Sequence, residues 1–212
     1  MRSIGTVLLS AALVLPLASA TAQVGHNRDN VLNPNVAGRD ELLAVPGLNA
    51  AAVDAVLAGR PFLNGLALDS ALRRHVAADA LPDVYRRVFV PLNLNTASRA
   101  EILLVPGVGA RMAHEFEEYR PYVAMAQFRR EIGKYVDDTE VARLEQYVFV
   151  PIDLNTASEA DILSIPGVGQ RMLHEFLEYR PYTNIAQFRR EIGKYVDDKE
   201  LARLERYVTI RP

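Results

Sequence analysis

The sequence predicts an all-α protein built from three tandem copies of a segment of about 60 residues. Residues 92–148 align without a gap onto residues 152–208, and about three quarters of the aligned positions are identical. Pro and Gly divide each copy into stretches of helical periodicity, which predicts about four short helices per copy. No stretch alternates between apolar and polar residues for long enough to predict a sheet.

The register of the copies extends towards the beginning of the chain, where the first copy is the most diverged. A Pro-Gly pair recurs at Pro46-Gly47, Pro106-Gly107 and Pro166-Gly167. A fixed period of this kind is typical of a repeat protein. We therefore predict a signal peptide at residues 1–20, a linker at 21–31, and copies at 32–91, 92–151 and 152–212.

The first 20 residues have the features of a secretory signal peptide. Arg2 provides a positive start, residues 4–17 are largely apolar, and Ala18-Ser19-Ala20 has the small-x-small pattern of a cleavage site. The apolar stretch is shorter than the roughly 20 residues that span a membrane. We expect cleavage before Thr21, no membrane span in the mature chain, and a periplasmic or secreted location.

Composition excludes several classes of function. The chain has no Cys, which rules out disulfides, zinc-thiolate sites and thiol catalysis. Its formal net charge is -2, so it is not a globally basic nucleic-acid binder.

Helix boundaries are clearest in the third copy. Residues 156–159 (Thr-Ala-Ser-Glu) match a capping box that begins the first helix. Pro166-Gly167-Val168-Gly169 then reverses the chain, because glycine adopts positive φ. Residues 197–200 match a second capping box, with Asp197 as the cap of the fourth helix.

Residues 94–122 and 154–182 share a longer motif. It reads Leu-Asn-Thr-Ala-Ser, an acidic residue with Ile-Leu, Pro-Gly-Val-Gly, and a helix ending in Glu-Tyr-Arg-Pro. This motif resembles the helix-hairpin-helix domain of the competence DNA-uptake receptor (ComEA-type) family, and residues 32–62 are a weaker copy. The resemblance implies tandem helix-hairpin-helix repeats that bind double-stranded DNA non-specifically outside the cytoplasm, in connection with DNA uptake.

A local mechanism accounts for the DNA binding that the resemblance implies. A Gly-x-Gly hairpin turns backbone N–H groups outward beside a helix N-terminus, which is a site for an anion. An arginine just inside the second helix adds a direct phosphate contact. The candidate phosphate-binding residues are Gly107, Val108, Gly109, Arg111, Gly167, Val168, Gly169 and Arg171.

The other hairpin positions depart from the family pattern. A family domain carries a second hairpin, but residues 134–137 and 194–197 read Lys-Tyr-Val-Asp, without glycine. In the first copy, Asn49 replaces the second glycine; since Asn tolerates positive φ, we expect the turn to survive there. The helix that follows has no cation. The sequence thus predicts two intact phosphate hairpins, one weakened hairpin and three lost ones.

Each candidate has a structural alternative. Arg111 and Arg171 are four residues before Glu115 and Glu175, so intrahelical ion pairs compete with phosphate. A second basic cluster is either a flank that follows the phosphate backbone or a solvated face. It consists of Arg129, Arg130, Lys134, Arg189, Arg190 and Lys194. Tyrosines such as Tyr119, Tyr122 and Tyr135 could stack on bases, but tyrosines at helix ends are more often half-buried core residues.

Two functions remain open. The first is an exported, non-enzymatic DNA-binding protein that needs no cofactor. The second is a periplasmic protein-interaction scaffold that keeps the fold without binding DNA. Charge favours the scaffold, because residues 92–151 contain seven Lys/Arg against nine Asp/Glu, and residues 152–212 contain nine against ten.

We predict that the purified protein binds no stoichiometric transition metal and does not degrade DNA. His114 and His174 precede Glu118 and Glu178 by four residues, but this spacing lacks a third ligand and is not the His-Glu-x-x-His motif. Zinc retained after dialysis, measured by elemental analysis, or cleavage of a labelled duplex would contradict the prediction.

Overall fold

The computed structural model describes residues 31–211, and the regular structure of these residues is mostly helical. Twelve helices contain nearly half of the described residues, and each strand has only two residues. The helical class predicted from the sequence is therefore confirmed. The predicted signal peptide and all but the last residue of the predicted linker lie outside the described residues.

Three short parallel pairings divide the helices into groups of four. Leu32 pairs with Val88, β1 (Leu92–Asn93) pairs with β2 (Val148–Phe149), and β3 (Ile152–Asp153) pairs with β4 (Val208–Thr209). Each pairing joins the beginning of one stretch of chain to its end. We call these stretches unit 1 (residues 31–91), unit 2 (92–151) and unit 3 (152–211).

Each unit contains four helices in the same order. Unit 1 has α1 (Arg39–Leu43), α2 (Ala50–Gly59), α3 (Gly65–Leu72) and α4 (Leu81–Tyr85). Unit 2 has α5 (Arg99–Ile102), α6 (Ala110–Glu118), α7 (Met125–Ile132) and α8 (Asp138–Glu145). Unit 3 has α9 (Glu159–Leu163), α10 (Gln170–Glu178), α11 (Ile185–Ile192) and α12 (Asp198–Glu205).

The first helix of unit 3 begins two residues later than predicted. The capping box is formed by Ser158 and Asp161, because the Asp161 N–H donates to Ser158 Oγ at 3.1 Å and the Ser158 N–H donates to Asp161 Oδ2 at 3.0 Å. Thr156 is still in the preceding turn, since its N–H donates to the Asp153 carbonyl. The box predicted at residues 156–159 is therefore wrong. The predicted Asp197 cap is confirmed, as Asp197 Oδ1 accepts the Glu200 N–H at 2.8 Å.

Asn95 and Arg120 hold the beginning of unit 2 against the turn between α6 and α7. The Asn95 carboxamide donates to the Tyr122 carbonyl at 2.9 Å and accepts the Tyr122 N–H at 2.6 Å. Arg120 donates through Nε to the Leu94 carbonyl and through Nη2 to the Ala97 carbonyl, both at 2.6 Å. We call this set of hydrogen bonds the Asn–Arg lock.

The lock recurs in unit 1 with all four hydrogen bonds and in unit 3 with three, because Arg180 Nε has no partner within the described residues. Asn35 and Asn155 exchange the same pair of hydrogen bonds with the backbones of Phe62 and Tyr182. Arg60 donates to the carbonyls of Pro34 and Ala37, and Arg180 donates to the carbonyl of Ala157. In every unit the peptide bond from this arginine to the following proline is cis. The lock therefore fixes the same turn three times.

The apolar core is continuous across units 1 and 2. The Cα of Gly65 in α3 leaves room for the side chains of Leu92 and Leu104 of unit 2, and a Cβ on Gly65 would lie 3.4 Å from Leu104 Cδ1. Buried residues from Val31 to Val150 form one cluster, whereas those of unit 3, together with Phe149, form a second.

Unit 3 contacts units 1 and 2 through both apolar and polar groups. Phe149 of unit 2 packs in the apolar cluster of unit 3, with its ring centre 4.6 Å from that of Tyr207. Arg206 Nη2 donates to the Pro91 carbonyl at 2.8 Å, and Asn33 Nδ2 lies 3.5 Å from the Tyr207 hydroxyl. Val36 of unit 1 also lies against Gly167 of unit 3. None of the described helices is long and apolar enough to cross a membrane.

We predict that removal of residues 152–212 leaves a folded protein, because the apolar cluster of units 1 and 2 does not include unit 3. Circular dichroism should show helix and a cooperative thermal transition for the chain ending at Pro151. A chain ending at Pro91 should be much less stable, since the truncation divides that cluster. If the longer truncated chain is unfolded, the three units depend on a single core.

Candidate nucleic-acid interface

A Pro-Gly turn connects the first two helices of each unit. We call these turns hairpin 1 (residues 46–49), hairpin 2 (106–109) and hairpin 3 (166–169). The first glycine has positive φ in all three, with values of 91° at Gly47, 82° at Gly107 and 81° at Gly167. Residues with a Cβ are disfavoured in this conformation, so these glycines are required by the turn.

The second glycine has a different role from the one predicted. Gly109 and Gly169 have φ values of -97° and -107°, which is extended backbone that any residue can adopt. A Cβ at either position would meet no atom within 4 Å. The prediction that these two positions need glycine for their backbone conformation is therefore wrong. Their effect is to leave open space in front of the helix that follows.

That open space exposes the N-terminus of α6. Gly109 is the N-cap residue and provides no side-chain hydrogen bond. Within residues 31–211, the N–H groups of Gly109, Ala110, Arg111 and Met112 have no hydrogen-bond acceptor. The equivalent groups at the beginning of α10 are also without an acceptor in the described part of the chain. Both helix ends can therefore receive an anion.

Hairpin 1 is closed by its own side chain. Asn49 has a φ of -97°, and its Oδ1 accepts the Ala52 N–H at 2.8 Å. The turn survives as predicted, but Gly47 provides the positive φ and Asn49 does not. The Asn49 carboxamide occupies the place that an anion would take.

The second turn of units 2 and 3 is closed in the same way. Asp137 Oδ1 accepts the Glu140 N–H at 2.9 Å, and Asp197 caps α12 equivalently. A carboxylate therefore already neutralises the positive end of each of these helices. This geometry agrees with the prediction that the second hairpin position is lost.

Arg111 and Arg171 lie in the first turn of α6 and α10 with exposed side chains. Neither makes an ion pair or a side-chain hydrogen bond within the described residues. The intrahelical pair expected between Arg111 and Glu115 does not form, because Glu115 is on the buried side of α6 and is only 8% exposed. The two arginines are thus available for an external anion.

The second basic cluster is paired with carboxylates. Arg130 Nη2 lies 2.7 Å from Glu131, and Lys134 pairs with the same carboxylate. The hydrogen bonds from Lys134 and Arg130 lower the pKa of Glu131, so it stays ionised at neutral pH. The other pairs are Arg129 with Glu145, Arg189 with Glu205, Arg190 with Glu191, and Lys194 with Glu191. These cations would have to exchange a carboxylate for a phosphate.

The tyrosines support the fold. Tyr122 is 1% exposed, and burial raises its pKa. The hydroxyls of Tyr119 and Tyr135 are 2.8 Å apart, and that hydrogen bond, together with the neighbouring Glu115, raises the pKa of Tyr135. Lys134 Nζ lies 4.9 Å from the centre of the Tyr119 ring, so one face of that ring is already occupied.

The two histidines considered as metal ligands, His114 and His174, each pair with an exposed glutamate of the same helix. His114 Nε2 lies 3.2 Å from Glu118 Oε2, and His174 Nε2 lies 3.5 Å from Glu178 Oε2. Residues 31–211 contain no group of three or more metal-ligating side chains around them or elsewhere.

Sequence reasoning missed the Asn–Arg lock and two clefts beside the hairpins. Asn and Arg recur at the lock positions in all three copies, even in the diverged first copy, and that recurrence was a usable signal. The clefts bring together α4, α8 and hairpins 1 and 2. One depends on how units 1 and 2 pack and the other on how the helices of unit 1 pack, and a periodic sequence reveals neither.

Comparison with known proteins provides one distant match. A Xenopus laevis protein named endonuclease/exonuclease/phosphatase family domain-containing protein 1 is 25% identical over 119 residues. The match covers 42% of this chain and 21% of the relative, so the chain corresponds to about a fifth of that protein. No family model and no solved structure matches the chain.

We predict that the two glycines of hairpin 2 respond differently to alanine. Gly107→Ala should lower the free energy of unfolding by about 1–2 kcal/mol, the usual cost of left-handed backbone for a residue with a Cβ. Gly109→Ala should change it by less than about 0.5 kcal/mol, because the site is extended and open. Urea denaturation followed by circular dichroism measures both values. Equal losses would contradict the described backbone.

Proposed function

We propose that this protein binds the phosphate backbone of double-stranded DNA without sequence preference, through hairpins 2 and 3. The observation that carries the proposal is the contrast between turns of one chain. Hairpins 2 and 3 have open helix N-termini and an unpaired arginine, whereas hairpin 1 has an Asn49 cap and no cation in its helix.

We propose that the three units are tandem helix-hairpin-helix repeats. Each unit connects two helices through a Pro-Gly turn of the same backbone conformation, and the Asn–Arg lock recurs behind each turn. The competence-receptor motif falls on the first two helices of units 2 and 3. The family resemblance and the geometry therefore point to the same two hairpins.

Each hairpin offers two kinds of contact to a phosphate. The free N–H groups of α6 converge where the helix dipole places about half a positive charge. Arg111 is the second residue of α6, and its guanidinium adds a full positive charge beside these groups. Contacts of this kind involve the phosphate and not the bases, so they fix position without reading sequence.

Two such sites on one chain support one another. Each hairpin alone makes few contacts and should bind weakly. Once one hairpin holds a duplex, the second encounters it at a high effective concentration. A modest number of contacts would then suffice despite the net charge of -2.

We propose a binding role without catalysis. The name of the Xenopus relative refers to nucleases and phosphatases, which act on phosphate esters. The match covers about a fifth of that protein, and we propose that phosphate recognition is what the two chains share. The location that we propose, outside the cytoplasm and with a link to DNA uptake, rests on the first 20 residues and on the family motif.

A protein-interaction scaffold is the second candidate, and one observation favours it. The cations of the second basic cluster are balanced by carboxylates, which reduces the positive surface available to a polyanion. In a scaffold, the open hairpins would bind a carboxylate of a protein partner.

We predict that the protein binds a labelled duplex of arbitrary sequence, with an affinity that falls steeply with salt. The double variant Arg111→Ala/Arg171→Ala should bind more weakly while keeping its fold. Because each lost phosphate contact removes about 0.9 from the slope of log K against log salt, the slope should decrease by about 2. Fluorescence anisotropy at several salt concentrations measures both effects.

The double variant Gly109→Asp/Gly169→Asp separates binding from folding. Each new carboxylate should cap its helix as Asp137 does, so stability should be kept while DNA binding is lost. Asn184→Asp is the control, because it adds a carboxylate at the N-cap of α11, where the Asn184 side chain already accepts the Gln187 N–H. No binding by the wild type at high micromolar concentration, or unchanged binding by both double variants, would refute the DNA proposal and favour the scaffold.

A further inference from the structure

We propose that Arg86, Arg87 and Arg143 form a second phosphate-binding surface, which extends the path of the duplex from hairpin 2 to hairpin 1. This inference rests on the proposed function. It assigns to α4 and α8 a role that the hairpins alone do not provide.

The surface consists of two adjoining clefts, one between units 1 and 2 and the other lined by residues of unit 1. The first has a volume of about 470 Å³ and is lined by Pro106 and Gly107 of hairpin 2, with Arg86 and Arg143 beside them. The second has a volume of about 540 Å³ and is lined by Pro46 of hairpin 1, with Asp83, Arg86 and Arg87. Arg86 lines both clefts and therefore lies between the two hairpins.

The cations of this surface are accessible. The Arg86 side chain is 64% exposed and pairs with Asp83 at 2.9 Å. Arg87 is exposed, and within residues 31–211 its side chain has no ion-pair or hydrogen-bond partner. Arg143 is 33% exposed and pairs with Glu140. An exposed pair such as Arg86–Asp83 contributes less than about 1 kcal/mol, so a phosphate can replace the Asp83 carboxylate.

The same surface contains two carboxylates that oppose a polyanion. Asp83 and Glu140 face the clefts beside their arginine partners. Three arginines against two carboxylates leave a positive excess next to the open end of α6. The carboxylate of Asp83 also allows a test by gain of binding.

Unit 3 has no equivalent surface. Arg203 corresponds to Arg143 but is 3% exposed, and its Nη1 donates to the Pro166 carbonyl at 2.6 Å. Val36 of unit 1 covers Gly167 on the same side, 3.2 Å from the place of a Cβ. Hairpin 3 therefore binds with its own amides and Arg171, whereas hairpin 2 continues into a basic cleft.

The phosphates that this surface takes are those of the duplex held at hairpin 2. A duplex presents successive phosphates along each strand, and a cation beside an occupied hairpin meets the next ones at high local concentration. Hairpin 1 lacks a cation of its own in α2, and Arg86 and Arg87 provide the positive charge there from the turn that follows α4.

The test compares matched variants of the full chain by anisotropy with a labelled duplex. Arg86→Ala/Arg87→Ala should reduce affinity about tenfold at low salt and reduce the salt slope by about 2, as expected for two lost phosphate contacts. The control is Arg39→Ala, since Arg39 is also exposed and paired, with Asp54, but lines neither cleft. Arg143 is left unchanged because its guanidinium lies against Gly107.

A second pair of variants tests the carboxylate. Asp83→Asn should tighten binding because it frees Arg86, while Asp54→Asn makes the same charge change away from the clefts and should have a smaller effect. Equal effects of the two aspartate variants, or wild-type affinity in the double arginine variant, would overturn this inference and leave hairpin binding intact. If the wild type does not bind DNA, the proposed function fails, and this inference fails with it.

Discussion

The Asn–Arg lock is the interaction on which the arrangement of each unit depends. Asn95 and Arg120 join two irregular segments, the loop before α5 and the turn after α6, whose backbone groups have no helical partners. These four hydrogen bonds join the loop before α5 to the turn after α6. Because both ends are held, hairpin 2 between them is presented at the surface in one orientation, with its amides unoccupied.

A second constraint separates the shape of the hairpin from its capacity to bind. Gly107 fixes the shape through positive φ, and its counterparts do so in every unit. Whether the helix end is free depends on the residue two positions later, which is Gly109 in unit 2 and Asn49 in unit 1. A substitution at this one position can therefore open or close the site without altering the fold. A capping side chain accepts the same backbone N–H groups that an anion would otherwise bind.

The sequence predicted the helical class, the four-helix order and the Pro-Gly turns, because these depend on local periodicity and on glycine. It misplaced the α9 capping box by two residues, since Thr156 and Ser158 are chemically equivalent candidates and only the turn at Asp153 decides between them. It also assigned the wrong conformation to Gly109. The burial of Glu115 and the pairing of Arg129 with Glu145 could not be predicted, because they depend on tertiary packing of the helices.

Packing between units gives hairpins 2 and 3 different surroundings, although their own sequences are the same. Units 2 and 3 are about three quarters identical in sequence, but unit 3 directs Arg206 to the Pro91 carbonyl, and burial lowers the pKa of that arginine. Arg203 is buried within unit 3, where it donates to the Pro166 carbonyl and pairs with Glu200. Neither arginine is therefore as available to a ligand as an exposed one. In unit 2 the corresponding positions are Gln146, which needs no ion partner, and Arg143, which stays at the cleft. The repeated sequence therefore gives hairpin 2 a basic extension, whereas Arg203 and Arg206 of unit 3 are held in hydrogen bonds to the Pro166 and Pro91 carbonyls.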